Sequence, residues 1–305
     1  MDEPRKQHYV PQTYLHNFGI GKKNSSLYVL SLSPRKIYPS QIGDTACQKD
    51  FYTLNNCDDK YIWETTYAQQ VEPDLGFLLK KVRRICESVL TLDRAIVISQ
   101  EEKIELSFHL AIQLLRGKNA RSYEKFLYDK TLPKVLNEVK NHFPDISDDL
   151  IQSSLARFTQ DDIYFKNILM DTSLNKKSIQ KFVKILSNYT FIFYRTQGTY
   201  PFITSDNPVM FLNSITKDSA PFTNGLLSNS TIVYFPISPK LLLCAYHPDL
   251  SFEFFNSFDC SLLTLNDAKN KRFIDSHNKY QLKQCNNCAY SNSKETLENL
   301  LKNRS

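Results

Sequence analysis

The distribution of strand-like sequence constrains this chain more than any other feature. L-Y-V-L-S-L (27–32), R-K-I-Y (35–38) and D-F-Y-T-L (50–54) read as three short strands joined by Ser/Pro and Gly turns. Three short strands cannot bury a sheet face alone and need cover. The next strand-like texture begins only with Y-T-F-I-F-Y-R (189–195). It continues through F-I-T-S (202–205), V-M-F-L (209–212), I-V-Y-F-P-I (232–237) and L-L-L-C-A-Y (241–246), with S-P-K suiting a hairpin turn between the last two. The two β-rich parts are therefore expected to share one core. The expected fold class is α+β, a single domain over residues 1–305. Its helical middle, about 61–187, sits in a mixed or antiparallel sheet built from N-terminal and C-terminal strands. A helical C-terminus over 264–303, divided near 290, closes the chain.

In the middle segment Trp63, Tyr67, Val71, Leu75, Leu78, Leu79, Val82 and Ile85 recur at steps of three and four, the period of an amphipathic helix. Pro73 and Gly76 predict a kink or break there. Ser99-Gln-Glu-Glu is a capping box that opens a strongly apolar helix. Gly117 separates it from a second run to about His142, and further helices are expected at 147–158 and 176–187.

With 20 Phe and 17 Tyr among 305 residues, the chain can bury a substantial core. No apolar run approaches the length of about 18 residues that a membrane span needs. The opening M-D-E-P-R-K-Q-H has no apolar core of a secretory signal. Seven scattered cysteines read as reduced thiols, so the expected location is the cytoplasm. Only Cys285 and Cys288 have ligand-like spacing, and without a second pair they read as two ordinary helix-side cysteines. Seven glycines, with no G-x-G-x-x-G and no G-x-x-x-x-G-K-[ST], argue against dinucleotide and P-loop sites. Nucleophile-elbow, H-E-x-x-H and kinase signatures are absent too.

The net charge of +6 is unevenly spread. Residues 115–140 hold seven basic and three acidic side chains, 264–305 hold eight and four, and 144–175 hold two and six. Such asymmetry is compatible with a polyanionic partner, and equally with solvated helix faces.

Three segments carry polar groups that could do chemistry. In H-Y-V-P-Q-T-Y-L-H-N-F (8–18), Pro11 holds Val10 extended and starts a helical turn. His8 and Gln12 can then converge, while Tyr14, Leu15 and Phe18 are buried. An imidazole and a carboxamide at one point offer a proton shuttle and an oriented donor or acceptor. On the helix after Ser99, Ile104, Phe108, Ile112 and Leu115 form the expected core stripe. His109, Gln113 and Arg116 run beside it, at the edge of a cleft. Arg116 could clamp a phosphate or carboxylate, or pair with Glu64 or Glu72. F-I-T-S-D-N-P-V (202–209) presents Asp206 and Asn207 at a strand end, either as an Asx turn or as an acid facing a cleft.

H-Y-V-P-Q-x-Y-L-x-x-F, C-x-K-D-F-Y (47–52), Q-L-L-R (113–116), F-I-T-S-D-N-P-V, F-P-I-S-P (235–239) and L-N-D-A (265–268) occur in this order. Together they resemble a widespread, mainly bacterial family known only as a domain of unknown function, over nearly the whole chain. The resemblance implies almost nothing about activity. It implies that His8, Gln12, Gln113, Arg116, Asp206 and Asn207 fall in the family's motif blocks. Gly117-Lys118 departs from the Thr-Pro expected after Arg116, which could loosen the helix end.

These six residues are expected to converge on one pocket. The first functional expectation is an enzyme that cleaves phosphodiesters of a nucleic acid, RNA in particular, as a toxin or phage-defence effector. His8 would be the general acid or base and Arg116 would hold the phosphate. Asp206 would orient His8 or recruit a divalent metal ion, while Gln12, Gln113 and Asn207 would position substrate. The alternative is a non-catalytic module that binds a nucleotide, peptide or protein partner. Under a third reading these polar groups are a buried network that stabilises the fold.

Overall fold

The structure, a computed structural model, describes residues 5–54, 58–89, 95–151, 153, 175–217, 225–250 and 253–302. In chain order its strands are β1 (Lys6–His8), β2 (Ser26–Leu32), β3 (Arg35–Gln41), β4 (Cys47–Lys49), β5 (Ala95–Ile96), β6 (Thr190–Thr196), β7 (Thr204–Ser205), β8 (Met210–Asn213), β9 (Thr231–Ser238), β10 (Leu241–Tyr246), β11 (Ser261–Leu265) and β12 (Cys288–Ser291). The helices are α1 (Gln12–Leu15), α2 (Ile62–Thr66), α3 (Glu72–Ser88), α4 (Gln100–Arg116), α5 (Lys118–His142), α6 (Lys176–Ser187), α7 (Glu253–Asn256), α8 (Asp267–Gln284) and α9 (Lys294–Lys302). The fold is α+β, and its sheets do mix strands from both ends.

The larger sheet has the order β5-β11-β6-β10-β9-β8, antiparallel except for the parallel pair β11-β6. Every residue of β9 is buried, which matches its nearly unbroken apolar run. The second sheet, β3-β2-β12-β7, is antiparallel throughout and sets β12 beside the N-terminal strand β2, Tyr290 opposite Val29. β1 and β4 form a separate short ribbon.

Four expectations need correction. The strand placed at 50–54 lies earlier, at Cys47–Lys49. Asp50 takes a left-handed φ of 54°, which ends the ladder, and the Tyr52 N–H turns to the Gln7 side chain. Of the two positions expected to break the helix, Pro73 does and Gly76 does not: a π-helical turn, Tyr67–Val71, precedes Pro73, and α3 continues through Gly76. The C-terminal part is not continuously helical, because β11 precedes α8 and β12 follows it. On α4 the buried face is rotated from the expected stripe, with Ile104 exposed and His109, Gln113 and Arg116 buried. The helix expected at 147–158 and the acidic stretch 144–175 fall largely outside the described residues. The capping box is present as expected, with the Glu102 N–H donating to Ser99 Oγ and the Ser99 N–H to Glu102 Oε2.

The N-terminal segment is held where both sheets meet. Tyr14 of α1 is 1% exposed and stacks on Phe235, ring centroids 5.0 Å apart. Its hydroxyl donates to the Pro236 carbonyl on β9 at 2.6 Å and lies 2.7 Å from Thr204 Oγ1 on β7. One phenol thereby joins the helical turn to both sheets. Tyr14→Phe keeps the ring but leaves the Pro236 carbonyl without its donor and the Thr204 hydroxyl without its acceptor. Urea unfolding should show a loss of about 1–3 kcal/mol with an unchanged m-value.

Candidate functional site

The main polar cluster forms because β1 and α1 lie across the last turn of α4. Pro11, with φ −56° and ψ 137°, is the N-cap of α1. His8 precedes it at the end of β1 and is 7% exposed. Its Nε2–H donates to the Gly43 carbonyl at 3.3 Å, and its Nδ1 accepts from the Gln12 amide at 3.5 Å. This is a neutral imidazole. Burial lowers its pKa, against the opposing pull of Glu72.

Arg116, the last residue of α4, is 3% exposed. Its Nε donates to the Tyr52 hydroxyl at 3.2 Å, and its Nη2 donates to Glu72 at 2.9 Å and to the main-chain carbonyl of His8. The guanidinium lies 4.3 Å from the Tyr67 ring centroid. Gln113, one turn earlier, donates to the Tyr9 carbonyl at 3.0 Å. α4 therefore reads the main chain of residues 8 and 9 through Gln113 and Arg116, and these two polar side chains are buried by it. Of the two carboxylates weighed as partners for Arg116, Glu72 makes the bond. Glu64 stands close enough to feel both, and burial pushes it up to about 7.

Further cations of the 115–140 run also face inward. Lys118 Nζ sits 4.6 Å from the Tyr9 ring centroid. The Arg121 guanidinium lies 3.4 Å from that of Phe51 and donates to the Phe51 carbonyl. Departing from Thr-Pro, Gly117 serves as the cap between α4 and α5 with extended backbone, φ −80° and ψ 170°.

Asp206 and Asn207 belong to a second cluster. The Asp206 carboxylate is 2% exposed and accepts three backbone N–H groups, from Asn286 at 2.7 Å, Asn287 at 2.8 Å and Cys288 at 3.0 Å. Burial raises its pKa, and the three donors oppose the rise. Asn207 Nδ2 donates to the Gln284 carbonyl at the end of α8, and Gln281 donates to Ser205 Oγ and to the Asn207 carbonyl. The turn itself is made by Ser205, whose Oγ accepts the Asn207 N–H at 3.0 Å, rather than by Asp206. The S-D-N-P segment thus holds the joint between α8 and β12. Cys285 and Cys288 flank that joint just beyond the helix, rather than on its side.

His8, Gln12, Gln113 and Arg116 come together; Asp206 and Asn207 do not join them by hydrogen bonds. Tyr9 and Tyr290 stand between the clusters, hydrogen-bonded to each other, each with its pKa raised by burial and by the Asp206 charge. The hydrogen bonds of the His8 ring go to Gly43 and Gln12, so Asp206 does not orient it. Among the described residues no group of three or more His, Cys, Asp or Glu side chains is placed to hold a metal ion. His109, read as part of the polar row, is buried with neither ring nitrogen partnered, and burial lowers it to about 4.

The residues not singled out in advance are Tyr52, Tyr67 and Gln7. Tyr52 closes the C-x-K-D-F-Y block, which was the available signal for it. Tyr67 could be read only as one member of an apolar period. Gln7, one residue before the motif, donates to Thr53 Oγ1 at 2.9 Å.

The motif blocks that the geometry joins span the chain from residue 8 to β12. A family model described as protein of unknown function, DUF4238, matches residues 6–295. The chain belongs to the DUF4238 family. No curated protein and no solved structure matches it. This DUF4238 chain therefore owes its functional reading to its own side chains.

Two substitutions test the Arg116 cluster. Glu72→Ala leaves a buried guanidinium without its carboxylate and should cost about 3–5 kcal/mol in chemical denaturation. Glu64 holds its proton up to about pH 7 in the folded state, whereas the unfolded chain releases it near the ordinary value of 4.5. The native state binds more protons between these values, so stability falls as pH rises through that window. Glu64→Gln should flatten this fall, exceeding wild type in thermal midpoint at pH 8 and matching it near pH 4.5.

Proposed function

We propose that the protein is a non-catalytic binding module, and that its motif residues frame the N-terminal segment rather than react. The observation that carries this reading is the commitment of Arg116. Its donors serve the His8 carbonyl, Tyr52 and Glu72, and its side chain is almost wholly buried. A phosphate clamp needs a guanidinium fork aimed at an accessible cleft. Asp206 would likewise have to give up three backbone donors before it could orient a histidine.

Phosphodiester cleavage in a toxin or phage-defence effector would leave His8 as its one poised group. A single neutral imidazole, facing a backbone carbonyl and a carboxamide, is too little for general acid–base work on a scissile phosphate. A binding role asks less of this cluster, since aromatic packing and satisfied polar groups make a rigid frame. The ligand classes it leaves in play are a nucleotide, a peptide and a protein partner. No disulfide forms among the six described cysteines, in keeping with work in a reducing cytoplasm. Among the described residues no helix is long and apolar enough to cross a membrane.

The test joins activity to stability. Total RNA, tRNA and plasmid DNA, each incubated with the protein and either Mg²⁺ or EDTA, should remain intact. His8→Ala and Arg116→Ala should both unfold at lower denaturant, His8→Ala by about 1–3 kcal/mol. Cleavage by wild type that a folded His8→Ala variant loses would overturn the reading and restore the nuclease.

A further inference from the structure

α1 turns Gln12 toward His8 and leaves Thr13 on its other side, facing α3, with Asn17 in the 3-10 turn that follows. A cleft of about 390 Å³ lies between them, lined by Thr13, Asn17, Lys80, Arg83, Arg84 and Glu87 beside Gly76. Three cations there oppose one carboxylate. Lys80 and Arg84 are exposed, and among the described residues neither pairs with a carboxylate. Arg83 donates to Asn17 Oδ1 at 2.7 Å and lies 3.5 Å from Glu87.

The hydrogen-bond accounting gives the cleft a chemical preference. Asn17 Oδ1 accepts from Arg83, so the amide nitrogen is the end left over, and Asn17 Nδ2 is buried with no partner. Arg83 Nε is buried without a partner as well. Both orphans are donors, and both belong to residues that line the cleft. Arg83 keeps 32% of its side chain exposed, and Lys80 and Arg84 stand exposed beside it. Unmet donors among excess positive charge select a ligand that only accepts, and a phosphate group is such a ligand.

The neighbouring surface says what carries that phosphate. Phe77 of α3 is 73% exposed. It lies three residues before Lys80 and seven before Arg84, on the same side of the helix. An uncovered aromatic face beside a row of cations is a platform for a base next to its phosphate. We infer that this cleft binds the phosphate of a nucleotide or of single-stranded nucleic acid, with the base stacked on Phe77. The cleft lies apart from the Arg116 cluster and would hold its ligand whether or not His8 turns anything over, so the inference goes beyond the binding-module reading.

The experiment is fluorescence anisotropy at low salt with a labelled single-stranded oligothymidylate, competed by AMP and by inorganic phosphate. Wild type should bind saturably, and AMP should compete better than phosphate. Lys80→Ala with Arg84→Ala should weaken binding of all three about tenfold or more, at an unchanged thermal midpoint because both positions are exposed. Phe77→Ala should weaken the oligonucleotide and AMP about tenfold and leave competition by phosphate as it was. Lys177→Ala with Lys181→Ala, exposed on α6, should change little. Absence of saturable binding would overturn the inference, as would equal losses from the α6 variant. An inert Phe77→Ala, or phosphate competing as well as AMP, would overturn its nucleotide part. Cleavage of the probe would count against the binding-module reading alone, because the anisotropy comparison can be repeated with AMP.

Discussion

The hydroxyl of Tyr14 is the contact on which the arrangement of the N-terminal segment depends. It is buried between a sheet drawn mostly from the C-terminal half and a sheet built from both ends, and it bonds to each. Buried hydroxyls are costly unless paired, and the position satisfied here exists only when β7 and β9 are both in place. With that ring seated, β1 lies over the end of α4. There Arg116 and Gln113 take up the carbonyls of residues 8 and 9. The motif is thus less a set of side chains facing a substrate than a segment whose main chain is read by α4.

Much of the architecture was legible because apolar periodicity and turn chemistry report directly on local structure. The hairpin at Ser238–Leu241, the capping box at Ser99 and the division at Gly117 all stand where their residues put them. β12 was not legible, since Cys-Ala-Tyr-Ser has no distinctive alternation and follows a helical pattern. What turns the chain there is a carboxylate from residue 206, a long-range contact with no local signature. The stripe on α4 was misread for a related reason. Ile104 is apolar but exposed, while Arg116 is charged but buried, and the burial of Arg116 follows from its bonds to the distant main chain at His8 and to Glu72.

The candidate site was legible as a list of residues and not as a geometry. Four of the six fall into one cluster and two into another, because the S-D-N-P segment answers to α8 rather than to His8. The basic run from 115 to 140 shows the same limit. Arg116, Lys118 and Arg121 rest on aromatic rings or carbonyls, so three of its seven cations serve the fold, while Lys125, Lys130, Lys134 and Lys140 stay exposed. The K-K-V-R-R stretch at 80–84 lies inside an amphipathic period, yet Lys80, Lys81 and Arg84 are exposed and only Lys81 of these three pairs with a carboxylate among the described residues.

The place of β12 has a consequence for synthesis. It is an interior strand, lying between β2 and β7. β2 leaves the ribosome early and then waits for a partner that Ser33 meets at Asn287, a separation of 254 residues. At ordinary elongation rates that interval is roughly 10–50 s. For that time the N-terminal hairpin exposes an unpaired edge. Arg35, Lys36 and Pro39 on β3 guard its other side from the start. The newborn chain is therefore most open to mispairing at the very strand that β12 comes to cover.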